Sequence, residues 1–144
     1  MLFHRIALCF LLATAMPFAT SVKSSEQTSA GLHLELNTIN DTGTACRMTF
    51  VANNRTGADI EQAVFETVIF DSSGSVMSLS LFDFRELPPD RPRVRQFDVP
   101  GITCESLGQA LINGASTCTV DGTDSAVCHE ALSLSSRISV ELLG

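Results

Sequence analysis

The residues of this chain with the richest chemistry are its cysteines, because a thiolate can bind metal, exchange disulfides or form a structural bridge. Cys9 lies in an apolar N-terminal segment, which leaves Cys46, Cys104, Cys118 and Cys128. No two of these stand in the C-x-x-C spacing that zinc and redox sites use. We therefore expect two structural disulfides. Of the three pairings that four cysteines allow, we favour Cys46–Cys104, a long-range link between strands, and Cys118–Cys128, which closes a loop.

Arginine is the second concentrated residue type. Four arginines occur within eleven positions: Arg85, Arg91, Arg93 and Arg95. In an extended chain the side chains alternate, so Arg91, Arg93 and Arg95 would share one face and could bind a carboxylate, a phosphate or an acidic partner through bidentate hydrogen bonds. The alternative is a solvated edge strand whose arginines pair with nearby acids such as Asp90 and Asp98, or with cross-strand acids, and whose charges and Pro92 protect the edge.

Phe82 and Phe84 flank Asp83 at the end of a run in which Met77, Leu79 and Leu81 alternate with serines. The run over residues 79–84 could be a surface that binds another chain by strand addition, so its two phenylalanines join the three arginines as candidate binding residues. The alternative places them in the core of the domain.

Histidine and methionine could together handle copper, since imidazole and thioether ligands suit that metal. His33, His129, Met48 and Met77 show no recognisable ligand spacing, and both methionines fall on predicted core faces. Neither a G-x-S-x-G nor an S-x-x-K motif is present. We expect no metal site, no cofactor and no catalytic activity. The rival hypothesis is a small hydrolase or metal-handling protein whose site is assembled from distant residues. A pocket holding His33 or His129 beside an acid would favour it.

Short alternating or β-branched segments separated by turn clusters predict an all-β domain. The predicted strands cover residues 32–37, 46–52, 60–71, 76–84 and 93–99, an irregular strand over 104–113, a short piece at 117–120 and a last strand at 137–142. No amphipathic helix of ten or more residues is evident. About seven such strands predict a single antiparallel β-sandwich, immunoglobulin-like in architecture only, because the chain has no Trp and no Tyr for the core positions of that family.

The N-terminus has the pattern of a secretory signal peptide, residues 1–21. Arg5 precedes an apolar run over residues 6–12, which Pro17 ends well short of the roughly 20 residues of a membrane span. Small residues leave the cleavage site open between Ala15, Ala19 and Ser21. Residues 22–30 read as a flexible tail and residues 31–144 as the domain, with no stable membrane insertion after cleavage.

Charge excludes one class of partner. The chain has 9 basic and 16 acidic residues, and removing Arg5 with the leader leaves 8 against 16, a net charge of −8. A chain this acidic, without a basic patch that carries stacking aromatics, is not suited to nucleic acid.

Part of the sequence resembles a group of small exported alphaproteobacterial proteins of unknown function. The resemblance lies in residues 82–84 (FDF), 87–88 (LP) and 91–98 (RPRVRQFD), and extends through Cys104 and residues 111–113 (LIN) to 136–137 (SR). It implies a periplasmic location, and no activity or functional residue. It also implies that the glycosylation sequons at Asn40 and Asn54 have no role.

Together these patterns predict a non-catalytic, disulfide-stabilised, periplasmic or secreted β-sandwich that binds a protein or an envelope component. The sequence leaves the partner and the oligomeric state open.

Overall fold

The structure, a computed structural model, describes residues 30–144, which form nine strands. The strands are β1 (Leu32–Asp41), β2 (Ala45–Asn54), β3 (Ile60–Asp71), β4 (Val76–Leu87), β5 (Arg93–Pro100), β6 (Leu107–Val120), β7 (Thr123–Asp124), β8 (Leu132–Ser136) and β9 (Glu141–Leu143). A 3₁₀ turn at Cys104–Ser106 leads into β6, and a short helix, α1 (Val127–Glu130), precedes β8.

The strands form two sheets packed as a sandwich, so the predicted all-β sandwich is confirmed. The first sheet has the order β5-β2-β1-β8; the second has the order β4-β3-β6-β7, with β9 also paired to β6. Two pairs, β1–β8 and β6–β9, are parallel, which corrects the expectation of a purely antiparallel sandwich. The Leu32 N–H donates a hydrogen bond to the Ala131 carbonyl (2.8 Å), which holds the starts of β1 and β8 together. The two strands run parallel from this point.

The predicted strands over residues 32–99 are observed, most of them longer than expected, and the last third of the chain differs more. The strand with an irregular start is observed as the 3₁₀ turn and β6, which also absorbs the separate piece expected at 117–120. The prediction of a single strand over residues 137–142 is wrong. The chain bends after β8, where the Ser136 hydroxyl bonds to the backbone of Ile138 and Val140, and β9 then joins the other sheet.

The core lies between the sheets and is made of aliphatic side chains around a group of phenylalanines. In β1, Leu32, Leu34 and Leu36 are fully buried, as the alternation of strand side chains requires. The Phe50 ring packs edge-on against Phe84, with 5.5 Å between ring centroids. Each fully buried side chain of this size contributes about 1.5–3 kcal/mol relative to an exposed one. The phenylalanines therefore supply the aromatic part of a core that has neither Trp nor Tyr.

Both favoured disulfides are present. Cys46–Cys104 joins the start of β2 to the 3₁₀ turn, and therefore ties the first sheet to the segment that crosses to the second. Cys118–Cys128 joins β6 to α1 across the loop that contains β7.

Asn54 is the one buried side-chain amide of the described core. Its Nδ2 donates to the carbonyls of Ala58 (2.7 Å) and Leu87 (2.6 Å), and its Oδ1 accepts from the backbone N–H (3.0 Å) and hydroxyl (2.7 Å) of Thr56. The side chain thus fastens the β2–β3 loop to the end of β4. Because its nitrogen is fully engaged, the sequon at Asn54 is closed to modification in the folded domain.

Among residues 30–144, no helix has the length and apolarity needed to cross a membrane. The predicted signal peptide, Cys9 and nearly all of the expected tail lie outside the described residues.

Candidate functional site

The candidate binding residues lie along one side of the sandwich, where β4 and β5 are the edge strands of different sheets. We call this side the seam. A groove of about 530 Å³ runs along it. Its lining residues are Leu81, Asp83, Arg85, Val94, Arg95, Gln96 and Phe97. The open side of a two-layer sandwich therefore carries a concave surface with apolar and charged walls.

Phe82 and Phe84 do not contribute a surface. Both point into the core, with 2% and 0% of their area exposed. The Phe82 ring stacks on the half-buried ring of Phe97, with centroids 4.2 Å apart and planes 8° apart. Such offset or parallel contacts between rings stabilise a core beyond the area that they bury. A partner at the seam would meet Phe97 at the floor of the groove, with Phe82 beneath it.

Arg95 bridges the two sheets. It lies opposite buried Phe50 in the β2–β5 pairing, so its side chain starts on the inner face and reaches across to β4. Its Nε donates to the Phe84 carbonyl (2.7 Å), and one terminal nitrogen donates to both the carbonyl (3.2 Å) and the carboxylate (3.1 Å) of Glu86. These bonds supply hydrogen-bond donors to two carbonyl groups of the edge strand β4. Arg95 is therefore a structural clamp as well as part of the groove wall.

The three arginines predicted to share a face have different surroundings. Arg93 lies 3.7 Å from the Glu86 carboxylate, so Glu86 faces both Arg93 and Arg95. The pKa of Glu86 lies below its ordinary value, first because its own backbone N–H bonds to the carboxylate and then because of Arg95. Arg91 is exposed and makes no ion pair within residues 30–144. The alternative reading of the arginines, pairing with cross-strand acids, thus describes two of the three.

Two other charged groups define the electrostatics of the seam. Arg85, on β4, makes no ion pair in the described chain, and its backbone N–H donates to the Asp83 carboxylate (2.8 Å). Its φ of 58° marks an irregularity where Phe84 is the extra residue relative to β3. Asp98 is neutralised by Arg47 through two bonds of 2.7 and 2.9 Å, which lower the pKa of Asp98.

Neither of the two described histidines belongs to the seam. His33 lies on β1, two strands away from β5, and His129 lies in α1. The His33 ring bonds to the hydroxyls of Ser133 and Ser135, both at 3.0 Å, on the β1–β8 pair. His129 lines a cavity of about 520 Å³ with aliphatic side chains and Asn113, and no acidic side chain lines that cavity. The histidine–acid pocket that would favour a hydrolase is thus not formed at His129.

Metal ligation finds no support among residues 30–144, where no three His, Cys, Asp or Glu residues are grouped in a way that could hold an ion. Met48 is fully buried, as expected, but Met77 is 37% exposed. The expectation that Met77 lies on a core face is wrong. Phe82 and Phe84 are buried and strand side chains alternate, so Ser78 and Ser80 lie on the inner face instead.

Sequence reasoning missed two seam residues, Glu86 and Val94, and included Leu81 only as a member of the run over residues 79–84. Leu81 and Val94 are 61% and 58% exposed. The signal for Leu81 was its place one residue before buried Phe82, which puts it on the outer face of a strand. Val94 lies between Arg93 and Arg95, and because strand side chains alternate it lies on the outer face when Arg95 starts on the inner one.

Comparison of the chain with protein-family models, with curated proteins and with solved structures found no match.

Proposed function

We propose that this chain is a non-catalytic binding protein of the periplasm or the extracellular space, and that it holds an extended segment of another polypeptide, or an envelope component of like chemistry, in the groove of the seam. Its two disulfides are compatible with such a compartment, because structural disulfides persist in oxidising surroundings. The candidate residues that recognise the partner are Arg85, Arg91 and the exposed apolar residues Leu81 and Val94.

The proposal rests on one observation: the walls of the groove carry exposed apolar side chains. Leu81 and Val94 stand on its two strands, and the half-buried ring of Phe97 lies between them. In a concave binding site, apolar side chains supply contact area and polar groups fix the orientation of the ligand. Four of the seven residues that line this groove are polar or charged. Extended segments suit a site between two edge strands, because they offer alternating side chains and free backbone groups.

The charges of the seam indicate what that segment carries. Glu86 faces both Arg93 and Arg95 and offsets one of their two positive charges, so this group keeps a single net positive charge. Arg85 at the groove and Arg91 beyond the end of β4 make no ion pair within the described chain, although the Asp83 carboxylate also lines the groove. A carboxylate on the bound segment would satisfy either guanidinium through paired hydrogen bonds. The preferred partner is thus apolar in its centre and acidic at one end.

Capture from an envelope extract of the source organism tests the proposal, using the exported protein as bait. Two variants change the groove without disturbing the Arg95 clamp: Val94→Asp, and Arg85→Asn, since Asn tolerates a positive φ. The matched control is Leu143→Asp, which changes an exposed leucine of β9. Each bait is first shown to be folded by circular dichroism.

We expect wild type and Leu143→Asp to capture the same partner, and both groove variants to lose most of it. Equal capture by all four baits would overturn the groove as the binding site. An Arg91/Arg93/Arg95→Ala triple variant is less informative, because it also removes the clamp.

A further inference from the structure

We propose that β4 pairs with β4 of a second copy of this chain, antiparallel and about a two-fold axis at Leu79. The surface concerned is residues 77–81, which we call the open edge. This inference does not rest on the proposed function, although Leu81 belongs both to the groove and to the open edge.

Apart from the register shift at Met77, the open edge lacks the protection found along the rest of the seam. An edge strand presents unpaired backbone groups, and proteins commonly shield them with charges, prolines or bulges. In the later half of β4, the register shifts at Phe84 and the Arg95 guanidinium donates hydrogen bonds to two carbonyls. The other edge strand, β5, follows Pro92 and carries alternating charges. Residues 77–81 (MSLSL) contain no charge, no proline and no glycine.

Exposure is concentrated at the same place. The described chain has six large exposed hydrophobic residues, and four of them belong to the first half of β4: Val76, Met77, Leu79 and Leu81. Three of these lie within the open edge, and Val76 adjoins it. The register shift opposite Ile69 and Phe70 leaves Met77 as an extra residue, so the pairing with a partner strand is most regular from Ser78 onward. A single exposed leucine would be ordinary, but such a run on an unpaired edge marks an interaction site.

The occupant is a second copy because the open edge is symmetric about its centre. A two-fold contact requires that a surface complement itself. Antiparallel pairing about Leu79 sets Leu79 against its own copy, Met77 against Leu81, and Ser78 against Ser80. Residues opposite one another in an antiparallel pair point to the same face, so apolar side chains meet on the outer face and serines on the inner face. Asp83, the nearest acid on the strand, faces Ser75.

The outer face of the second sheet extends this complementarity. The pairing registers set Leu79 beside Val68, Val68 beside Leu111, and Leu111 beside Leu143. Val68 is only 7% exposed although it lies outside the core cluster, so its cover comes from this row of neighbours. Pairing at Leu79 would join the two copies at the Leu79 end of this row, while Leu143, on β9 at its far end and three strands away from β4, stays outside the contact.

Size and charge set the expected strength. Five residues per strand bury less than the roughly 800 Å² per partner of a standard interface, so the dimer dissociates on dilution. Each chain carries a net charge of −7, and the repulsion between two copies is reduced by salt. Dimer formation should therefore increase with both protein concentration and ionic strength, whereas a contact based on ion pairs would weaken with salt.

Sedimentation velocity over a concentration series tests the pairing. We expect wild type to shift from monomer to dimer, Leu79→Lys to stay monomeric, and Leu143→Lys, the matched exposed control, to behave as wild type. Leu79 is 58% exposed, so its replacement leaves the fold intact, and circular dichroism verifies this. A wild type that is monomeric at every concentration, or a dimer lost equally in Leu143→Lys, would overturn the proposal.

A cysteine variant tests the geometry of the axis. Directly opposed strand residues have Cα atoms about 4.5–5.5 Å apart, which is within the reach of a disulfide. Under mild oxidation Leu79→Cys should form a covalent dimer on a non-reducing gel, and Leu143→Cys should not. Failure of Leu79→Cys to cross-link faster than Leu143→Cys would contradict the axis at Leu79. Neither outcome depends on a partner from the envelope, so the test is separate from that of the groove.

Discussion

Replacing Arg95 by alanine should destabilise the domain strongly, although the residue lies at the edge of the sandwich. The guanidinium makes three bonds to β4: one to the Phe84 carbonyl, one to the Glu86 carbonyl and one to the Glu86 carboxylate. The side chain is only 18% exposed. Alanine would leave the two carbonyls of the edge strand without their donors.

The magnitude follows from the surroundings of each bond. A hydrogen bond to a charged group contributes about 1.5–3 kcal/mol when it is buried, and less where water can replace it. The Glu86 carboxylate is exposed, so its ion pair adds roughly 0–1 kcal/mol. We therefore expect Arg95→Ala to lower the free energy of unfolding by about 2–3 kcal/mol, a shift in Tm of roughly 10 °C for a domain of this size.

Equilibrium urea unfolding at neutral pH, with the disulfides oxidised, measures this loss. The control is Arg93→Ala, which removes a 3.7 Å contact with the same Glu86 and a long, exposed hydrogen bond to the Pro92 carbonyl (3.4 Å), and should cost less than about 1 kcal/mol. Arg95→Lys should recover less than half of the loss, because an ammonium lacks the fork that reaches both carbonyls. Equal stability of Arg95→Ala and Arg93→Ala would refute the clamp.

Three further predictions concern parts of the domain away from the clamp. Arg47 lowers the pKa of Asp98, so the contribution of Asp98 to stability is present above its ordinary pKa of about 4 and is lost as the pH falls through the lower folded value. Asp98→Asn should therefore flatten the decline of Tm with falling pH below about pH 4. The same decline in the variant as in wild type would contradict this assignment. Asn54→Ala should cost about 2–4 kcal/mol in urea unfolding because it strands buried carbonyls, whereas exposed Asn40→Ala should cost little. Loss of the Cys46–Cys104 bridge in a double alanine variant should lower stability by roughly 4 kcal/mol, and a calorimetric Tm close to that of wild type would contradict its role.

The strands of the first two thirds of the chain could be predicted because their side chains alternate and their turns carry recognisable residues. The bounds of β3 match the expected 60–71. The end of the chain could not be predicted, because its course depends on contacts that are distant in sequence. A local bend at Ser136 and the pairing of β8 with β1 decide where the last two strands go. The parallel pairs have the same origin.

The candidate site could be predicted in its location but not in its composition. The arginine-rich segment and the run before Phe82 do form one seam, yet the two phenylalanines lie in the core. An inward phenylalanine and an outward one look alike until the opposing sheet is placed. Likewise, nothing local indicates that Glu86 faces Arg93 and Arg95, since that contact joins edge strands of different sheets.

Photo-cross-linking in living cells tests the binding role of the seam most directly. A photoreactive residue at position 94 would stand on an exposed wall of the groove, and one at position 143 on an exposed part of β9. The binding role predicts a discrete adduct with another polypeptide from position 94 and no such adduct from position 143. No adduct at position 94, or the same adducts from both positions, would contradict it.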